Sequence, residues 1–320
     1  MAELQPHRGE VAFLIRVARG KLESQSVLLA DSVRTWGGAL AGAPIYAFTT
    51  PEDAPPESTI ERLSALDVHH LELRLDTPYR DPPVLNKVFV SAWAERELDH
   101  DVLAFVDSDT VFLGEPGELT LDAPGEAATA AAKPVGNSRT AGSTGPGDPN
   151  EPYWQQVYDV LGVRSWPFVT TIVDRARIRA YWNTGLVAAR RATGLFDAWE
   201  RALVRLFESG CVFKKPVLME QVAWAGVIAD VHDRVRILPE EYNYPLPKRT
   251  LLPPGIRDLE LDDLVHVHYH RWGHLPGFLG EVRPPLDSGS ERFRWLAERF
   301  PLHPTIDEPF RWAGRERALT

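Results

Sequence analysis

Residues 102–113 read VLAFVDSDTVFL, and this run decides the fold. Its first five residues, 102–106, are apolar, with β-branched and aromatic members, and too few for an ordinary helix. They predict a strand buried on both faces of a sheet. The strand delivers Asp107 and Asp109 two positions apart, and residues i and i+2 of an extended segment point to the same side. Both carboxylates can therefore converge on one cation. In open α/β sheets, ligands gather outside the carboxyl ends of the strands, where this pair falls. Asp99 and Asp101 repeat the spacing but precede the strand, at the opposite end of the sheet. Position, not spacing, singles out Asp107 and Asp109.

Strand and helix patterns alternate on the N-terminal side. Residues 11–17 predict a strand, 24–36 a helix stopped by Gly37 and Gly38, 44–50 a strand, 60–66 a short helix, 68–73 a strand and 85–98 a helix. This order predicts an α/β fold with a mostly parallel central sheet and right-handed crossovers. On the C-terminal side, 127–133, 181–189, 234–238 and 264–269 predict strands, and 196–207, 216–228 and 291–299 predict helices. Residues 134–152, rich in Gly, Pro, Ser, Asn and Thr, read as a long loop serving as a lid or acceptor loop. No internal repeat or linker interrupts the chain, so the expected organisation is one domain over 1–280 and a helical C-terminal extension over 281–320.

Composition narrows the function. The chain has 320 residues and a net charge of −10, which argues against nucleic acid as a partner. The single cysteine, Cys211, excludes an internal disulfide and suits a reducing compartment. No basic segment followed by an apolar one opens the sequence, and no run of eighteen apolar residues occurs. A cytoplasmic protein without an integral membrane segment is the expectation. The ten tryptophans read first as core and second as a ligand surface.

Three further clusters carry chemistry. Four of the ten histidines, His266, His268, His270 and His274, fall within nine positions. Strand alternation puts the first three on one face, and imidazole joins carboxylate around Mn- or Zn-class ions. In Tyr181-Trp182-Asn183-Thr184-Gly185, asparagine offers a donor and an acceptor beside a glycine that permits close backbone approach. In Leu218-Met219-Glu220-Gln221, two polar residues interrupt an apolar helix start. Taken singly, the last two are an ordinary turn and the polar face of a helix.

Taken in order, the four clusters resemble GT-A (Rossmann-like) glycosyltransferases, most closely the glycogenin-like and bacterial lipopolysaccharide galactosyltransferase-like branch. The resemblance covers roughly residues 11–280. It implies that Asp107, Asp109 and His268 bind Mn²⁺ or Mg²⁺, with His266 and His270 as register alternatives. It further implies that Lys87, Ser108, Arg19, Gly273 and His274 join the aspartates around a UDP- or GDP-sugar, and that Asn183, Glu220 and Gln221 lie at the reacting sugar. The expected reaction is hexosyl transfer, with retention of configuration, to an acceptor hydroxyl on a small molecule, glycoside or protein. Two other readings compete. Asp107-Ser108-Asp109-Thr110-Val111 also resembles the Asp-x-Asp-x-Thr/Val pattern of haloacid-dehalogenase-type phosphatases, where Asp107 would be the nucleophile and Asp262-Asp263 a late acidic motif. The third reading is a sugar-binding protein without catalysis.

Overall fold

The structure, a computed structural model, describes residues 7–122 and 128–305. Residue 127 of the strand expected at 127–133, and residues 306–320 of the extension expected at 281–320, lie outside the described residues. The first half alternates as the periodicity requires: β1 (His7–Arg16), α1 (Lys21–Trp36), β2 (Ile45–Thr49), α2 (Glu57–Ala65), β3 (Val68–Glu72), α3 (Asn86–Glu97) and β4 (His100–Val106). After β4 come β5 (Thr110–Phe112), β6 (Ala130–Pro134), α4 (Glu151–Leu161), β7 (Phe168–Thr170), β8 (Arg177–Arg179), β9 (Trp182–Arg190), α5 (Leu195–Glu208) and α6 (Met219–Ala229). The last third holds β10 (Val235–Ile237), β11 (Tyr244–Pro245), β12 (His266–His268), α7 (Phe278–Glu281) and α8 (Glu291–Ala297).

The central sheet has seven strands in the order β10-β6-β9-β4-β1-β2-β3. Strands β3, β2, β1 and β4 run parallel, whereas β9 is antiparallel to both of its neighbours, β4 and β6. Alternation along β4 divides its side chains between two cores. Leu103 and Phe105 pack with Val88 and Phe89 of α3 and Leu203 of α5. Val102, Ala104 and Val106 pack with Leu29 and Val33 of α1. This two-sided burial explains the unbroken apolar run in the sequence.

Two topological features build the site. Because β9 is antiparallel, its first residues lie at the carboxyl ends of its neighbours, with Leu186 opposite Val106 and Asn183 opposite Lys133. The chain then turns after Asp109 into β5, which pairs with β12 so that Thr110 faces His268. A third core, with Val111, Val267, Tyr269, Phe278 and Trp295, holds this small sheet in place.

Several expectations are corrected. The strand expected over 264–269 is only His266–His268; His270 follows it with a positive φ of 52° and opens a 3₁₀ turn. The three histidines therefore do not form one strand face. The helix expected over 216–228 opens with a proline-led 3₁₀ turn before α6. The loop expected over 134–152 ends in α4, and its interior is fastened down. The Trp154 indole N–H donates to the Ala141 carbonyl at 2.6 Å, Asn150 to the Gly142 carbonyl at 2.8 Å, and the buried Ser143 hydroxyl to Glu151 at 2.5 Å. The β7–β8 hairpin had no signal because its strands are three residues each. Trp154, Trp182, Trp199 and Trp224 are fully buried, so these four are core.

Trp199 joins α5 to α6: it packs against Trp224 with ring centroids 5.1 Å apart and donates its indole N–H to the Glu220 carbonyl at 2.7 Å. Trp199→Ala is expected to cost about 3–5 kcal/mol in urea unfolding. A loss below about 1 kcal/mol would show that this contact does not hold the two helices together.

Candidate metal centre and donor site

The site grows from the end of β4. Asp107 accepts a 2.6 Å bond from the Lys87 ammonium of α3, and its backbone N–H donates to the Gly185 carbonyl at 2.8 Å. The Ser108 side chain turns inward, where its hydroxyl donates to the Arg16 carbonyl. Asp109 meets the histidines. His268 Nε2 lies 3.0 Å from Asp109 Oδ1, and His270 Nδ1 lies 4.0 Å from Oδ2. One ligand atom from each of Asp109, His268 and His270 falls within 4.8 Å of the other two. Burial works against the Asp109 carboxylate, but the two imidazoles and Lys87 outweigh it and hold its pKa well below the usual range. Burial pushes His270 down to about 3, so its imidazole is neutral and keeps a lone pair for a cation.

Gly185 sits where these groups meet. A Cβ added there would lie 3.0 Å from Asn183 Oδ1, 3.1 Å from His268 Cε1 and 3.2 Å from Asp107 Oδ2. Asp107 and His268 thus border the same small space, which only a residue without a side chain leaves open.

Behind the aspartates lies a buried polar layer. The Lys87 ammonium stands 3.9 Å from Glu220 Oε1, and the Thr184 hydroxyl donates to Glu220 Oε2 at 2.6 Å. The Lys87 and Glu220 side chains are only 4% and 3% exposed. Burial opposes the Lys87 charge, yet Asp107 and Glu220 more than compensate and raise its pKa. Glu220 is pushed up to about 7 by burial, against the pull of Lys87 and Thr184.

The residues singled out from sequence divide accordingly. Lys87, Asp107, Asp109, Asn183, Glu220 and His268 are linked through shared contacts, and Gln221 follows Glu220 at the start of α6. His270 joins the cluster from outside the strand. His266 lies in the core against Phe112, ring centroids 4.6 Å apart, and neither ring nitrogen meets a partner among the described residues. Arg19 is exposed on the loop after β1. The His274 imidazole bonds the Leu302 carbonyl at 2.9 Å, and Gly273 packs on Tyr269, so both fasten the C-terminal segment. Asp99, of the upstream pair, bonds Arg191 at 2.7 Å at the far end of the sheet. Asp262 is taken by Arg292 and Ser290, and Asp263 by the Glu260 N–H, which leaves the phosphatase reading without its late acidic motif.

Asn243 is the participant that the sequence did not single out. Its side chain spans from Asn183 Oδ1, 2.8 Å away, to His268 Nδ1, 3.0 Å away. The available signal was weak: an asparagine at a left-handed backbone position, here with φ 44°, in an irregular stretch.

Two outcomes follow. Gly185→Ala is expected to lower turnover at least about tenfold with the fold intact by circular dichroism, because the methyl group displaces Asp107 or His268. Wild-type turnover would mean that this space is not used. For Glu220, a pKa raised from 4.5 to about 7 stabilises the folded state below the lower value, and that stability is lost as pH rises through the higher one. Wild type should therefore lose roughly 3 kcal/mol relative to Glu220→Gln between those two pH values. Parallel stability curves for the two proteins would contradict the burial.

Comparison with known proteins bears on what this arrangement serves. Residues 13–231 match the Rhodobacterales glycosyltransferase domain family, well over half of the chain. Among solved structures, an apo WbbM bifunctional glycosyltransferase aligns with a TM-score of 0.54 at 15% identity, covering 91% of this chain and 52% of that one. This chain thus spans about half the length of that enzyme, and at such identity the likeness concerns the fold. No curated protein matches. No helix among the described residues is long and apolar enough to cross a membrane. Together with the seven-stranded, mostly parallel sheet, the family match places the chain in the Rhodobacterales glycosyltransferase domain family, as a glycosyltransferase with a GT-A-like fold.

Proposed function

We propose that the chain is a divalent-metal-dependent hexosyltransferase that uses a UDP- or GDP-sugar and retains configuration at the transferred carbon. One observation carries this reading: Asp109, His268 and His270 converge beside Asp107 at the carboxyl end of β4. The donor set fits a divalent ion, since carboxylate oxygen and neutral imidazole suit Mn²⁺ or Mg²⁺ better than thiolate would. Asp109 and His268 would hold the ion, with His270 or Asp107 completing the set. When bound, such an ion neutralises charge on the diphosphate leaving group.

The remaining residues have separate tasks. Lys87 holds Asp107 in place and adds positive charge beneath the diphosphate. Glu220 anchors Lys87 and Thr184, and Gln221, half-buried at the opening of α6, would supply an amide to the sugar. Asn183, at the start of β9, orders the rim where donor sugar and acceptor meet.

Retention is supported by the state of the carboxylates. Inversion needs a carboxylate free to take the acceptor proton. Asp107 is committed to Lys87, Asp109 to the histidines, and Glu220 to Thr184 and Lys87.

Mn²⁺ together with UDP or GDP should raise the melting temperature of wild type and leave that of Asp109→Ala/His268→Ala unchanged, measured by scanning fluorimetry. Equal stabilisation of both proteins would remove the metal assignment. A panel of sugar nucleotides, read by release of nucleoside diphosphate, then identifies the donor. No turnover with any of them would favour a sugar-binding role.

A further inference from the structure

The hydrogen-bond chain behind the metal cluster has only one consistent direction. It begins at the Gly185 backbone N–H, which can only donate, and which lies 2.8 Å from the side-chain atom of Asn183. That atom is therefore the amide oxygen. The same oxygen lies 2.8 Å from the Asn243 side chain, which must present its NH₂ group there. The Asn243 oxygen is left facing His268 Nδ1 at 3.0 Å, so Nδ1 carries a proton and donates. Flipping Asn183 would set two donors against each other at the Gly185 N–H, and flipping Asn243 would set its oxygen against the Asn183 oxygen. His268 Nε2 consequently faces Asp109 Oδ1, 3.0 Å away, either as the second N–H of an imidazolium or as a bare lone pair. Two acceptors at that distance repel unless a proton or a cation lies with them.

The Asn243 amide is itself held by its surroundings. The residues before it are locked from two sides: buried Lys133 donates to the carbonyls of Glu240 and Tyr242, and the backbone N–H groups of Val265 and His266 both donate to the Glu241 carbonyl. Asn243 is 6% exposed and follows with a left-handed backbone. Its side chain therefore has little freedom to turn away.

We infer that Asn243 is a positioning residue. It transmits the polarity of the Gly185 amide through Asn183 to His268, and so fixes the imidazole as the Nδ1–H form with Nε2 aimed at the cation. This rests on the proposed metal reading, and it assigns the direction of the site to a residue that touches neither metal nor donor. An orienting partner of this kind typically changes metal affinity 10–100-fold.

The test uses the full chain with Mn²⁺ alone as probe. Free Mn²⁺ is counted by electron paramagnetic resonance for wild type, Asn243→Gly and His268→Ala. Glycine accepts the positive φ, so that variant loses the amide without backbone strain. Asn243→Gly should bind Mn²⁺ about 10–100-fold more weakly than wild type, with a circular dichroism spectrum unchanged. In metal-free protein at pH 8, long-range ¹H–¹⁵N correlation, assigned with His268→Gln, should show His268 protonated at Nδ1 in wild type. Asn243→Gly should show a neutral ring protonated at Nε2, donating to Asp109. A purely structural role would not move that signal. A neutral Nε2–H ring in wild type would overturn the inference, as would unchanged Mn²⁺ affinity in Asn243→Gly alongside weakened binding in His268→Ala. Mn²⁺ affinity unaffected by His268→Ala would overturn it by removing the metal reading beneath it, and so is distinguishable from the other failures.

Discussion

The Lys87 ammonium, 4% exposed and 2.6 Å from Asp107 Oδ1, is the interaction on which the rest of the site depends. Asp107, Asp109 and Glu220 are gathered by the fold into one partly desolvated region, where like charges without compensation would be strongly unfavourable. Lys87 offsets that repulsion from beneath, and the His268 imidazole lies 3.0 Å from the Asp109 carboxylate on the other side. What remains is a small space at Gly185, bordered by carboxylate oxygen and imidazole. A divalent cation has complementary charge for such a set of carboxylates and imidazoles, which no isolated residue would offer.

The single antiparallel strand of the sheet's middle, β9, makes this gathering possible. In a purely parallel sheet the amino-terminal residues of every strand lie at the end away from the ligand. Reversing β9 brings Asn183, Thr184 and Gly185 to the carboxyl end of β4, where Gly185 takes the Asp107 backbone N–H and Asn183 begins the chain of amides leading to His268. The small sheet adds the other wall. Its core, with Val267 and Tyr269 packed against α7 and α8 residues, fixes β12 against β5 and so fixes the distance from His268 to Asp109.

Much of this was legible because the signals were local. The strand-helix alternation through β4 rests on periodicities of two and 3.6 that need no tertiary information. The two aspartates could be separated from Asp99 and Asp101 because strand polarity follows from chain direction. The histidines were harder. Alternation placed His266, His268 and His270 on one face, but the strand stops at His268 and a left-handed residue re-aims His270. His266 is buried against Phe112 instead. The fastened segment after β6 and the short β7–β8 hairpin were invisible for a related reason. Their order comes from side-chain bonds such as Trp154 to Ala141, between residues whose types alone suggest a loose loop.

The sequence by itself determined the α/β alternation, the placement of Asp107 and Asp109 at a strand's carboxyl end, and the order of the later clusters, because each is written in residue type and short-range spacing. Tertiary structure decided which histidines meet Asp109, that Lys87 and Glu220 form a buried layer under Asp107, and that Asn243 completes the line from Gly185 to His268. These depend on the reversal of β9 and on the β5–β12 pairing, which bring together residues as distant in sequence as His268 and Asp109, 159 positions apart. Their geometry is set by the packing of three cores, and no local pattern encodes it.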